Sequence, residues 1–348
     1  MGSLTETAQV TRKVIKFGGI GLIVLILVRG IWQLGQEWYR LRNPAPPAPP
    51  TVAFGKLPAI KFPQQTPLEL TYKLQTVSGT TPDLGDRNAV YFMPYLRPNL
   101  LALERANKQV SKLDFESEPI MLDAKHYRWE KKDIKTYLTM NIITGEIEME
   151  YDWRSDPEIL LAPNLPGQEQ AISEAKNFLQ QAEILTEDLQ LGQAKVSYWK
   201  IVDKELVKAV SLSEAHFVRV DFFRKNTSEV PIVTPSAEEG MVYLLFSGSK
   251  ERHKRVVKLS YHYFPVDYEN LATYPLKKSS QAYRELQTRE AFVATKGNNQ
   301  QIITIRKISL AYFDSAEPQQ YLQPVYIFEG DNGFVAYVSA IDDQWVEK

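Results

Sequence analysis

A predominantly apolar run near the start of the chain, Val14 to Leu34, constrains its architecture more than anything that follows. Its 21 residues, at ~1.5 Å rise each, cover ~31 Å, about the thickness of a bilayer's hydrocarbon core. The run therefore predicts a single transmembrane helix, with Phe17, Leu22, Ile26, Arg29 and Trp32 as its anchoring residues and the lipid bilayer as a partner. Lys16 lies near one end, and the Arg29 stem is long enough to carry its charge to the other interface. Trp32, Trp38 and Tyr39 fall where an aromatic belt sits. The rival reading, a core helix of a soluble domain, fails because a proline-rich segment follows, with no partner element. A cleaved signal peptide also fits poorly: no small-x-small site follows closely, and WQLGQEWYRLRN intervenes. Arg12, Lys13 and Lys16 precede the span and Arg40 and Arg42 follow it. That slight excess places residues 1–13 as a cytoplasmic head and residues 43–348 outside the cytoplasm.

Residues 35–66 are expected to be a juxtamembrane linker. From Asn43 to Pro67 the sequence is proline-rich and lacks any helical period, predicting a polyproline-like spacer reaching up to ~75 Å at ~3.1 Å per residue. The 348 residues leave room for two or three ordinary domains. Lys and Arg total 41 against 42 Asp and Glu, a net charge of −1, so no global field marks a nucleic-acid binder. With no cysteine, disulfides, thiol nucleophiles and thiolate metal sites are excluded.

Beyond the spacer, one order of elements recurs three times: an amphipathic helix, then several strands. In the first unit, residues 67–165, Leu103, Ala106, Val110 and Leu113 share a helical face. Strands follow at 127–131, 135–142 and 146–154, the last two joined through Thr144 and Gly145. In the second unit, 166–270, Ala171, Ile172, Ala175, Phe178, Leu179 and Ala182 mark the cleanest helix, followed by strands at 195–202, 215–225, 241–248 and 255–266. Phe217, Arg219, Asp221 and Phe223 alternate with Val218, Val220 and Phe222, predicting a half-buried sheet with one apolar face. The third unit, 271–348, opens at Ser279 or Ser280 as N-cap, places Ala282, Tyr283, Leu286 and Val293 on one helical side, and ends in strands 302–313, 324–330 and 334–341. The class is α+β: a single N-terminal transmembrane helix, then repeated units of one helix packed on an antiparallel sheet. Pro324 is expected to open its strand, with Tyr326 and Phe328 on one face and Val325 and Ile327 on the other.

ISLAYFDSAEPQQYLQPVYIFEG, preceded by the helix SSQAYRELQTREAFV, resembles the end of the PepSY-like module, most closely the version in YycH/YycI-type regulators tethered by one N-terminal transmembrane helix. Leu310, Tyr312, Pro324, Val325 and Tyr326 occupy its motif positions. The resemblance covers about the last 70 residues well and 166–266 only as architecture. It implies a non-catalytic module in the bacterial cell membrane, facing the envelope and regulating a neighbouring membrane protein or occluding an enzyme. It carries over no catalytic residue and no cofactor.

The residues agree with that reading. His126, His216, His253 and His262 make no HxH or HExxH spacing, and GxSxG, Walker A and GxGxxG are missing. Asp152, Asp156 and Glu158 beside Trp153 could serve a glycosidase-like or cation site, but read more simply as a hairpin end that Pro157 stops. Glu238 and Glu239, like Asp342 and Asp343, read as solvated turns. The one basic cluster, Lys250, Arg252, Lys254, Arg255 and Lys258, reads as a charged hairpin turn, or as a surface for anionic lipid heads or wall polymer. Aromatic residues make up 11% of the chain yet do not interleave with this cluster, which argues against nucleic acid. The sequence thus predicts a membrane-anchored, extracytoplasmic interaction or regulatory protein with a membrane or envelope protein partner. A structural subunit of a surface or secretion assembly is the alternative, an envelope hydrolase a weaker one. Oligomeric state stays open.

Overall fold

The computed structural model describes residues 18, 25–39, 49–66, 68–95, 97–298 and 301–347. Contacts divide the chain into two units, Met1–Pro49 and Pro50–Lys348. In the first, residues 25–39 form helix α1, on which Ile26, Arg29 and Trp32 are exposed. Phe17 and Leu22, with most of the first half of the expected span, lie outside the described residues. Among the described residues no helix is long and apolar enough to cross a membrane.

The second unit is α+β, with few helices and two large, mainly antiparallel sheets. Its chain supplies β1 (Thr71–Leu74), β2 (Arg87–Phe92) and α2 (Ala102–Ser111), then β3 (Ile120–Met121), β4 (His126–Lys131), β5 (Thr136–Asn141) and β6 (Ile147–Tyr151). Next come α3 (Gln168–Gln181), the single turn α4 (Glu187–Gln190), β7 (Ala194–Val202), β8 (Glu205–Ala209), β9 (Phe217–Phe222), β10 (Ile232–Val233), β11 (Val242–Phe246), the turn α5 (Arg252–Arg255) and β12 (Val256–Tyr261). Last are β13 (Asp267–Pro275), α6 (Ser279–Gln287), β14 (Phe292–Thr295), β15 (Ile302–Phe313), β16 (Tyr321–Gly330) and β17 (Val335–Ser339).

The nine-stranded sheet runs β3-β4-β5-β6-β12-β11-β9-β7-β8, antiparallel throughout. Two meanders thus join edge to edge through β6 and β12, each meeting the other with a strand that would otherwise be an open edge. The eight-stranded sheet runs β1-β15-β16-β17-β14, with β2, β10 and β13 attached. The sheets therefore do not follow the three units expected from sequence: β1 and β2 leave the first, β10 leaves the second, and β13 straddles the boundary at 270/271. Nor is the pairing wholly antiparallel, since β1 and β10 both run parallel to β15. Strands brought in from far along the chain can add to an edge in either direction, and hydrophobic alternation does not encode which.

The linker expected over 35–66 ends earlier, because residues 50–66 are a strap bound to the eight-stranded sheet. Val52 N–H donates to Thr273 O at 3.0 Å, and fully buried Leu57 forms a parallel bridge with Val346. Phe54 stacks on Tyr321 in the core that α6 also covers, while Ile60 and Phe62 pack on the opposite face against Phe292 and Phe313. The strap so passes from one face to the other, and at the crossing Gln323 Nε2 donates to Pro58 O at 2.8 Å. Apolar residues every few positions among the prolines carry this docking, and proline's missing N–H costs nothing in a segment that needs few ladder bonds.

Pro324 lies inside β16, three residues after its start, correcting the expected strand opening. Tyr321 and Leu322 pair with β2, and Val325–Glu329 pair with β17. Pro324 falls between those partners, so its absent N–H interrupts neither ladder, and its carbonyl accepts from Ala340 N–H at 3.1 Å. Tyr326 and Phe328 face the α6 core, while Val325 and Ile327 face the other side, as alternation predicted. Ser279 is the first residue of α6, not its cap, and Oγ donates to Pro82 O at 2.5 Å; Val293 belongs to β14. β9 is buried on both faces, Phe217, Arg219 and Asp221 included, because the 153–162 segment and the β7–β8 hairpin cover the face that was expected to meet water.

Candidate functional site

Helices α2 and α3 lie on the same face of the nine-stranded sheet. Ala106 and Val110 of α2 and Ala171, Ala175 and Leu179 of α3 point into one core with Trp129, Met149, Val220 and Leu244. The spacing of these apolar residues puts one stripe of each helix toward the sheet and leaves polar flanks facing each other. At one end the helices meet: Gln109 Nε2 donates to Ala182 O at 2.6 Å, and Lys112 pairs with Glu183. From that end, where Lys112, Leu113 and Asp114 follow α2, a cleft of about 1040 Å³ runs along α3 over the strands near the β6–β12 seam. Its floor is Thr136 of β5, Met149 of β6, Val256 of β12 and Phe246 of β11.

One wall is a stripe of α3, Gln170, Glu174, Asn177, Phe178 and Gln181, at successive turns. Glu174 is locked there by Arg255, whose Nε and Nη2 reach its two oxygens at 2.8 and 2.9 Å, while Nη1 donates to Asn164 O at 2.7 Å and Ser247 O at 2.9 Å. Burial works to raise the Glu174 carboxyl, but hydrogen bonds from Arg255 and Gln170 outweigh it and hold the group below the usual range. The β11–β12 turn can approach the 162–164 wall only through Gly248, where a Cβ would sit 2.0 Å from Ala162 O.

Of the basic cluster, Lys250, Arg252 and Arg255 line this cleft, while Lys254 and Lys258 do not. Lys254 pairs with Asp156 at 3.0 Å. A register shift where β12 meets the end of β11 pairs Val256 with Phe246 but Lys258 with Leu245, so Lys258 turns to the other face beside Tyr243 and Glu148. Sequence reasoning missed Lys131, a half-buried wall residue whose Nζ donates to Leu113 O at 3.0 Å and lies 4.4 Å from the Phe115 ring centroid. Burial lowers its pKa. The signal that could have found it is period two: Lys131 follows Tyr127 and Trp129 on the strand face that these aromatics bury.

The sheets are joined by a cluster that also escaped notice. Arg224, 2% exposed in its side chain, donates through Nε to Asp314 at 2.7 Å, through Nη1 to Asp188 at 2.8 Å and through Nη2 to Phe264 O at 2.6 Å. Its guanidinium lies over Tyr263 at 4.1 Å, and Tyr263 and Thr186 donate to Asp188. Burial favours a protonated Asp188, yet Arg224 and these hydroxyls hold it below the usual carboxylate range. Each acceptor comes from a separate stretch of chain, so no local motif announces the cluster.

His262 lies between Glu146 and Glu148, with Nδ1 and Nε2 each 2.9 Å from a carboxylate oxygen, and is pushed up to about 9 by those hydrogen bonds. Among the described residues no group of three or more His, Asp or Glu could hold a metal ion. The acidic turns are not merely solvated: Glu239 pairs with buried Arg219 at 2.9 Å and Asp343 with buried Lys277 at 2.8 Å. Asp156 accepts from Tyr151 Oη at 2.6 Å below buried Trp153, a cap over the sheet's second face.

No family model matches the chain, and no curated protein matches it. Nine chains of solved structures do. One, an uncharacterized protein from Eubacterium rectale ATCC 33656, is 14% identical over 74% of this chain and 84% of its own, with a TM-score of 0.39, too low to carry an argument.

Proposed function

We propose that the chain is a non-catalytic interaction or regulatory protein, anchored in a bacterial cell membrane by Val14–Leu34 and presenting its folded body outside the cytoplasm. The observation that carries the interaction half is the make-up of the α2–α3 cleft. Its polar lining is mainly amides and cations, and of its two carboxylates Asp114 lies 3.6 Å from Arg252 while Glu174 is held in a bidentate pair with Arg255. A carboxylate fixed in that way and held ionised is a poor proton donor at neutral pH. Amides and ammonium groups, by contrast, recognise a ligand without transforming it. The anchor half rests on the length and apolarity of the run. The PepSY-like resemblance of β15 and β16 points the same way, as expected for YycH/YycI-type regulators.

The chain's lack of cysteine provides the test. A Val210→Cys variant places one thiol at a position 91% exposed, and Ser3→Cys places one in the head. A membrane-impermeant maleimide applied to intact cells is expected to label the first, and the second only after permeabilisation; the reverse pattern removes the reading. A second reading, a structural subunit of a surface assembly, is favoured by β3, a two-residue strand at the edge of its sheet with Ile120 47% and Met121 65% exposed. Charge substitution of Met121 that dissolves a native assembly would favour it over the first.

A further inference from the structure

We infer that the α2–α3 cleft binds an extended acidic peptide segment of a partner protein. The inference rests on the reading of the chain as an interaction protein and deepens it by naming the site and the ligand. Charge comes first. The chain as a whole has a net charge of −1, but the cleft is lined by five Lys and Arg against Asp114 and Glu174. Lys112 and Arg255 are taken by carboxylates. Arg252 lies 3.6 Å from Asp114, both largely exposed, which screens their attraction. Lys250 has no ion-pair partner among the described residues, and Lys131 donates to a backbone carbonyl beside a ring face, with the Asp114 carboxylate near enough to act on its charge. Against Lys131, Lys250 and Arg252 the cleft sets Asp114 alone, so a net positive field remains over it and the fitting ligand is anionic.

The polar groups of α3 say what kind of anion. Asn177 and Gln181 are exposed, stand one turn apart on the cleft wall and have no side-chain hydrogen bond among the described residues. A side-chain amide offers both donor and acceptor, which matches the N–H and C=O of an extended peptide. Bare polyphosphate offers acceptors alone at the same place and would leave the amide oxygens unmatched, and the donors of a lipid head do not repeat along a line as peptide N–H groups do. Between the amides and the floor, half-buried Phe178, Leu165 and Ile134 provide an apolar surface for side chains on the alternate positions of such a strand. From Gln170 to Gln181 the helix advances ~16 Å, the span of about five extended residues. The ligand is then a short stretch alternating carboxylate and large apolar side chains. Its backbone lies along α3, and its carboxylates meet Lys131, Lys250 and Arg252.

Fluorescence anisotropy on the purified full chain in detergent, with short fluorescein-labelled peptides of alternating Glu and Leu as probe, tests this. Binding is expected to weaken about tenfold or more in Lys250→Glu/Arg252→Glu, and several-fold in Asn177→Ala/Gln181→Ala, which leaves every charge in place. Lys254→Glu, whose residue faces away, is expected to bind as the parent does. Alternating Lys and Leu peptides are expected not to bind. Polyphosphate that displaces the probe equally from parent and Asn177→Ala/Gln181→Ala would show a general polyanion surface and overturn the peptide assignment, as would absence of binding. Either failure, with the maleimide pattern intact, removes the peptide site alone. A reversed maleimide pattern with binding intact removes the extracytoplasmic placement alone.

Discussion

Among single residues, the buried cations are what alternation patterns conceal. Arg224 meets three acceptors with three different nitrogens, so lysine cannot replace it, having one nitrogen and no fork. Arg224→Met leaves Asp188 and Asp314 without their cation, and urea unfolding is expected to show a loss of about 3–5 kcal/mol, with Arg224→Lys recovering little of it. Parental stability in Arg224→Met would mean that the sheets are held together by other contacts. His262 provides a pH test. Its folded pKa of about 9 lies above the ordinary 6.5, so its pairing with Glu146 and Glu148 stabilises fully below pH 6.5 and is lost as pH rises through 9. With the site partly open to solvent, the loss is on the order of 1–2 kcal/mol. The parent is expected to weaken more between neutral pH and alkaline pH than His262→Gln does; equal weakening would show that the pair carries no such linkage. The basic cluster was legible as a charge run at 250–258, but which members share a face was not. The register shift at β12 decides that, and it arises from pairing with β11, which no reading of β12 alone can supply.

At the level of elements, the helices and most strands follow from local pattern. α3 was legible almost to its ends, since Ala171, Ala175 and Leu179 repeat at helical spacing. The Tyr326/Phe328 and Val325/Ile327 division of β16 was equally legible. The strap was not. Proline-rich sequence reads as spacer, and only the tertiary fit of Leu57, Phe54 and Phe62 reveals that residues 50–66 are part of the fold. Leu57→Ala separates the two descriptions. In a solvated spacer the change would be neutral, whereas removal of a fully buried leucine is expected to cost about 2–5 kcal/mol in urea unfolding. Gly248 gives a second test, because a Cβ there meets the carbonyl of Ala162. Gly248→Ala is expected to push the 162–164 wall outward and lower the melting temperature; an unchanged melting temperature would mean that the wall yields freely.

For the molecule as a whole, two sheets with separate cores are fastened by the Arg224 cluster, while the strap binds the N-terminal end of the body to Val346 near its C-terminal end. The α+β class was legible from the alternation of helical and strand periods. The grouping of strands into sheets was not, since β1, β2 and β10 pair outside their expected units and β13 straddles two of them. The cleft itself was invisible in the sequence because it belongs to no element. It arises where α3 and the segment after α2 sit over the seam between β6 and β12, and of its lining only Lys250, Arg252 and Arg255 stand out in the sequence, as a charge run. The proposal that this seam is the docking face is tested most directly in native membranes, with a photo-crosslinking amino acid in place of Asn177 in the full chain. One adduct is expected, mapped by mass spectrometry to a carboxylate-rich segment of another envelope protein, lost on adding Lys250→Glu/Arg252→Glu and missing when the same amino acid replaces Val210. Adducts that persist through the charge reversal, or no adduct from position 177 at all, would contradict it.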